Sequence, residues 1–193
     1  LPERGGRFAP ARPTLGRMHD TTRTVDPGPA RSDTSEWTWV LIRTCPQCGY
    51  DSSHVLPIGV PQIIRDAATR YAAVLTRLDA ARRPAEGVWS PLEYCCHVRD
   101  VCDVMRGRLE AILAGDGSRP VPLAGWDQDA TAVTEQYWRS DPDAVAAQLQ
   151  RSFGAAAAAF ATPSRGQWGW PAVRSDGAAF TPETLARYLV HEL

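Results

Sequence analysis

The 193-residue chain is long enough for one domain of ordinary size with a tail. Its formal net charge of −1 argues against a general nucleic-acid or membrane-surface binder, both of which need a basic excess. No apolar run reaches the length of a membrane span, and no apolar core follows the charged N-terminus as a signal peptide would require. Five cysteines, two adjacent and three on one predicted helix, make a poor disulfide framework, so a reducing cytoplasm is the expected location.

Residues 1–35 are rich in Pro, Gly, Arg, Thr and Asp with almost no apolar periodicity, and are expected to be a disordered tail. His19 in this stretch is expected to be idle, and Met18 is a candidate start. Residues 36–58 form a short pre-bundle segment. It opens with a β-favouring run, Trp37 to Ile42, and leads into Cys45-Pro46-Gln47-Cys48-Gly49. Such a turn points two thiolates at one spot and is half of a zinc knuckle. No second cysteine pair stands at a suitable distance, and His54 is the nearby extra donor. Two readings stand for Cys45 and Cys48: a metal site, or a tight turn with two ordinary thiols.

Residues 59–193 carry the helical pattern. A first helix is predicted from Val60 to Leu78, opened by Pro61, with Ile63, Ile64, Ala67, Ala68, Tyr71, Val74, Leu75 and Leu78 at helical spacing. The best-defined helix lies within Trp89 to Leu113. Ser90 is its N-cap, Pro91 suits the first helical position, and Glu93 completes a capping box. At 100° per residue, Arg99, Asp100, Asp103, Arg106 and Glu110 share one arc. Cys95, Val98, Cys102, Met105, Leu109 and Ile112 form the opposite stripe, widened by Tyr94, His97, Val101 and Val104. A shorter helical piece is predicted from Trp126 to Tyr137. A third long helix starts at Asp141-Pro142, carries Phe153, Phe160 and the run Ala155 to Ala159, and ends at Pro163. Gln167 to Phe180 connects, with a hairpin around Ser175-Asp176-Gly177. Thr181-Pro182 then caps a final helix, whose pattern is still running at Leu193, so that the chain is expected to continue beyond it. Four amphipathic helices without a convincing strand set predict an all-α bundle.

Two histidines stand out. His97 lies in the first turns of the second long helix, and His191 lies on the last, aligned with Thr184 and Tyr188. Inward side chains from different helices of a bundle can converge on a metal, and imidazole suits zinc, nickel or iron. Each histidine alone reads equally as a satisfied core residue. Asp127 and Asp129 read as caps of a helix N-terminus or as groups reaching into a site. His191-Glu192 could also begin a zincin-type His-Glu-x-x-His motif, but that fold needs strands the pattern lacks.

Trp89-Ser90-Pro91-Leu92-Glu93 with His97-Val98-Arg99-Asp100, together with Leu185-Ala186-Arg187-Tyr188-x-x-His191, resembles the DinB-like superfamily. That superfamily includes mycothiol-dependent maleylpyruvate isomerases and bacillithiol transferase-like proteins. The similarity covers roughly Val60 to Leu193. It looks closest to an actinobacterial branch with a Cys-Pro-x-Cys-Gly segment before the bundle, as at Cys45 to Gly49, and with stretches like Trp126 to Asp129 and Arg174 to Gly177. The cations are all Arg, with no Lys, which is compatible with such a GC-rich source.

The resemblance implies a DinB-like four-helix bundle. It also implies a histidine triad for a divalent metal, zinc first, then nickel or iron. His97 and His191 match two members, and the third would fall two residues beyond Leu193. Asp127, Asp129, Arg174 and Asp176 match positions that would support the metal or contact substrate. The implied activity is metal-dependent S-transfer or isomerisation using mycothiol or a similar thiol. The implied partners are a small-molecule electrophile and the thiol, without nucleic acid or membrane, and a homodimer is the expected assembly. The alternative is a non-catalytic DinB-like bundle, a stress-associated or interaction module with a degenerate metal site.

Overall fold

The computed structural model describes residues 26–33 and 35–193. The expectations for Met18, His19 and most of the N-terminal tail lie outside the described residues. Five α-helices are present among them: α1 (Val60–Leu75), α2 (Pro91–Leu113), α3 (Gln128–Thr134), α4 (Pro142–Phe160) and α5 (Pro182–Glu192). Helices α1, α2, α4 and α5 form the bundle, with α4 packed along both α1 and α2. Leu92, Leu109, Ile112, Leu149, Phe153, Phe160, Leu185 and Leu189 are fully buried between them. No helix of the described residues is long and apolar enough to cross a membrane.

Local chemistry sets the helix starts. On α2, the Ser90 hydroxyl accepts from Glu93 N, and the Glu93 carboxylate accepts from Ser90 N, which satisfies two donors a helix start leaves open. Asp127, Asp141 and Thr181 cap α3, α4 and α5 through side-chain oxygens. On α5 the reciprocal partner is Thr184.

Several elements differ from the sequence expectation. Trp37 to Ile42 forms no strand; Thr38–Leu41 is a 3₁₀ turn. Thr38 N and Oγ1 donate to the Glu36 carboxylate, and this local bonding competes with an extended backbone that has no ladder partner. Helix α1 stops at Leu75, and Leu78, expected on its apolar face, is 98% exposed. There Thr76 Oγ1 donates to Ala73 O and Arg77 turns onto Asp79. Tyr94, expected on the buried stripe of α2, is 48% exposed. Helix α3 ends at Thr134, short of Tyr137, because Gln136 adopts a left-handed conformation that turns Tyr137 into the core. The Tyr137 hydroxyl donates to Asp100 there. The polar arc of α2 does not simply face solvent: Arg99 donates to Gln148, and Asp103 accepts from Ser152, both on α4.

A small sheet packs against α2 and α5. Strand β1 (Val121–Leu123) pairs parallel with β2 (Ala172–Arg174), and β2 pairs antiparallel with β3 (Ala179–Phe180). The β2–β3 link is the expected hairpin, closed by Arg174 N to Ala178 O and by Gly177 at φ 90°. Strand β1 was not expected; it is three residues long and contains Pro122, which an edge strand tolerates.

The pre-bundle segment is packed onto α5 and shares the core. Val40, Cys45 and Val55 belong to the buried cluster. The Tyr50 hydroxyl donates to Arg187 O at 2.6 Å, and Arg187 Nε donates to Val55 O. Residues 26–33 carry no helix or strand, yet Arg31 N donates to Gly87 O and Ser32 Oγ to Asp129.

Candidate metal centre and adjoining cavities

Helix α2 presents His97, Val101, Val104 and Arg108 along one face, at spacings of four, three and four. His97 is 7% exposed. Its ring stacks on Trp126 at 5.6 Å with a 10° interplanar angle, and meets Trp89 at 5.2 Å. Its Nε2 stands 3.9 Å from the Glu192 carboxylate, too far for a direct hydrogen bond. Its Nδ1 is buried and has no partner among the described residues. His191, one residue before Glu192 on α5, also holds a buried Nδ1 without a partner among the described residues. The His191 ring packs against Trp37 at 5.6 Å and against the edge of Tyr50 at 5.3 Å.

His97 and His191 line one cavity of about 580 Å³, together with Tyr71, Trp89, Tyr188 and Glu192. The Tyr71 hydroxyl donates to Leu193 O, and burial pushes its pKa up to about 12, so it stays a donor. A neighbouring cavity of about 710 Å³ shares Asp33, Trp37, Gln128, Asp129, Tyr188 and Glu192 as a common wall. Asp127, Asp129, Arg174 and Asp176 all line this second space. Each also has a local partner. Asp127 caps α3, Asp129 accepts from Ser32, and Arg174 grips Asp176 at 2.7 Å. That hydrogen-bonded pairing with Arg174 holds the Asp176 carboxyl down to about 2.

The structure brings His191 to a partner set that sequence spacing did not supply. Ligand atoms of Cys45, Cys48 and His191 all lie within 4.8 Å of one another, the one such group of three metal-binding side chains among the described residues. His54, the extra donor nearest in sequence, is exposed and outside this group. The turn is shaped as a knuckle: Gly49 N donates to Cys45 O, Cys45 N donates to Tyr50 O, and Gly49 sits at φ 75°. The His191 imidazole beside it lowers the Cys45 thiol to about 7. The helix cysteines are different, since burial pushes Cys95 up to about 12 and raises Cys96 and Cys102.

Arg108 is a further site residue that sequence reasoning passed over. It is buried and lines the larger cavity. It donates to Ala124 O at 3.0 Å and reaches Met105 Sδ, while its Nε has no partner among the described residues. Burial holds its pKa below the usual arginine value. The signal was present: Arg108 lies about three turns after His97 on the same face of α2.

Comparison with known proteins places this architecture. The family model of the DinB superfamily matches residues 62–193. The chain belongs to the DinB superfamily. Two solved structures share the fold. One is YfiT from Bacillus subtilis, described as a probable metal-dependent hydrolase with an unusual four-helix bundle topology. It is 17% identical, with a TM-score of 0.60 over 70% of this chain and 79% of that one. The other is a mycothiol-dependent maleylpyruvate isomerase, 14% identical, with a TM-score of 0.57 over 73% of this chain and 59% of that one. No curated protein matches the sequence.

Proposed function

We propose that this protein is a divalent-metal-dependent S-transferase or isomerase that uses a low-molecular-weight thiol such as mycothiol. The observation that carries this reading is the cavity lined by His97 of α2 and His191 of α5, each with a buried Nδ1 that nothing among the described residues satisfies. Buried polar atoms are normally partnered, so orphaned imidazole nitrogens on two residues that line one cavity suit a metal. His97 and His191 are the donors the family resemblance singles out to hold it. Fold neighbours described as metal-dependent and mycothiol-dependent agree with this chemistry.

A bound divalent ion would favour the thiolate form of the thiol, the form that attacks an electrophilic carbon. The chain's own residues hold and orient the reactants. Trp89 and Trp126 fix the plane of His97 and exclude water from its faces. Glu192 places a carboxylate 3.9 Å from His97 Nε2, which adds negative charge beside the ring. Arg108, with no carboxylate within ion-pair distance among the described residues, offers a positive group to an anionic part of the substrate.

The test is a conjugation and isomerisation assay of the full-length protein with mycothiol and model electrophiles. Turnover is expected to require a divalent metal and to fall about 100-fold or more in His97→Ala. A metal-loaded protein that turns over none of these substrates would overturn the enzymatic reading and favour a non-catalytic bundle.

A further inference from the structure

We propose that Cys45, Cys48 and His191 together bind one zinc-type divalent ion, which clips the pre-bundle turn to helix α5. This rests on the metal dependence of the proposed function and revises its donor set: His191 holds the ion together with the two thiols of the knuckle, and His97 lines the adjoining cavity without binding it. Three observations converge. The first is distance. Around one tetrahedral ion with bonds of about 2.0–2.3 Å, ligand atoms stand roughly 3.5–3.8 Å apart, and these three side chains already lie within 4.8 Å of one another. A small closure completes the site.

The second is preformation. Gly49 N to Cys45 O and Cys45 N to Tyr50 O fix the knuckle. The Tyr50 hydroxyl on Arg187 O and Arg187 Nε on Val55 O then fasten that knuckle to the turn of helix carrying His191. The thiols are thus held against the imidazole by contacts that do not involve the ion. The third is the unpartnered Nδ1 of His191, buried in a ring already clamped by Trp37 and Tyr50.

The donor chemistry selects the ion. Two thiolates and an imidazole suit zinc, and disfavour magnesium or calcium, which take oxygen ligands. On binding, both thiol protons leave to solvent and two sulfur–metal bonds form; no electron moves. Three protein donors leave one coordination position for water or an exogenous thiol.

The experiment measures metal content and the cobalt spectrum of full-length protein. Wild type is expected to hold about one zinc per chain. Replacement with cobalt should give a near-ultraviolet thiolate-to-metal charge-transfer band. Cys48→Ser removes an exposed thiol, so the fold should persist by circular dichroism while zinc affinity drops at least about 100-fold and the band weakens. His191→Asn should lose the ion as well, and His97→Ala should keep both ion and band.

Zinc retained by folded Cys48→Ser but lost from His97→Ala, with no thiolate band, would overturn this assignment and leave the proposed function standing on a histidine site. Folded wild type that binds no divalent ion would overturn both. Zinc and band as expected, with no turnover of thiol and electrophile, would uphold this site and overturn the enzymatic reading alone.

Discussion

Glu93 is buried at the start of α2 and accepts from Ser90 N and from Arg83, whose Nη2 stands 2.5 Å away. Burial alone would raise its pKa, but the Arg83 guanidinium and the Ser90 groups outweigh it and hold the carboxyl below its ordinary 4.5. A depressed carboxylate stabilises the fold above the unfolded pKa and loses that contribution as pH falls through the folded value. Arg83→Met strands the carboxylate and should cost about 3–5 kcal/mol in urea denaturation at pH 7. Below pH 4.5, wild type should lose stability more steeply than this variant, whose unpaired Glu93 is relieved by protonation. Ser90→Ala should cost about 1 kcal/mol in the same measurement. The Ser90–Glu93 box was legible in the sequence because its partners stand three residues apart. Arg83 was not, because it lies across an irregular turn and no periodicity marks it. The same contrast governs the candidate site. His97 and His191 could be picked out from their helices, whereas the meeting of His191 with Cys45 and Cys48 depends on how the chain folds back over more than a hundred residues.

Amphipathic helices announced themselves, since burial of one face imposes a period the sequence displays. The short elements did not. Strand β1 consists of Val121-Pro122-Leu123 and exists because β2, some fifty residues later, is there to pair with it. The run Trp37 to Ile42 has β-favouring residues and no such partner among the described residues, so it coils. Around the sheet, Gly117 is the sensitive position. It sits at φ 74°, and a Cβ there would collide with the Trp170 indole nitrogen. Gly117→Ala therefore combines backbone strain with a clash against a bulky ring. It should destabilise by about 1–3 kcal/mol. Its near-ultraviolet circular dichroism should also change as Trp170 moves. An unchanged spectrum and stability would mean that the loop relaxes freely.

At the scale of the molecule, the pre-bundle segment is part of the core. Val40 and Val55 are buried with the bundle residues, and each should contribute about 1.5–3 kcal/mol. Deleting residues 26–58 should lower the unfolding midpoint of the helices themselves, as followed by far-ultraviolet circular dichroism. The distribution of thiols leads to a second expectation. In metal-free native protein at neutral pH, a maleimide should label Cys48 first, because it is exposed. Cys95, Cys96 and Cys102 should react only after denaturant is added, since burial keeps them protonated and covered. Peptide mass spectrometry reads both outcomes. The packing of His97 against Trp89 and Trp126 has an optical consequence. Indole emission responds to whatever touches its faces, so the imidazole makes these two rings a built-in gauge of the cavity. A ligand that turns or displaces His97 should change the emission, and comparison with Trp126→Phe isolates that signal from the remaining tryptophans. Occupancy can then be followed before any substrate has been identified.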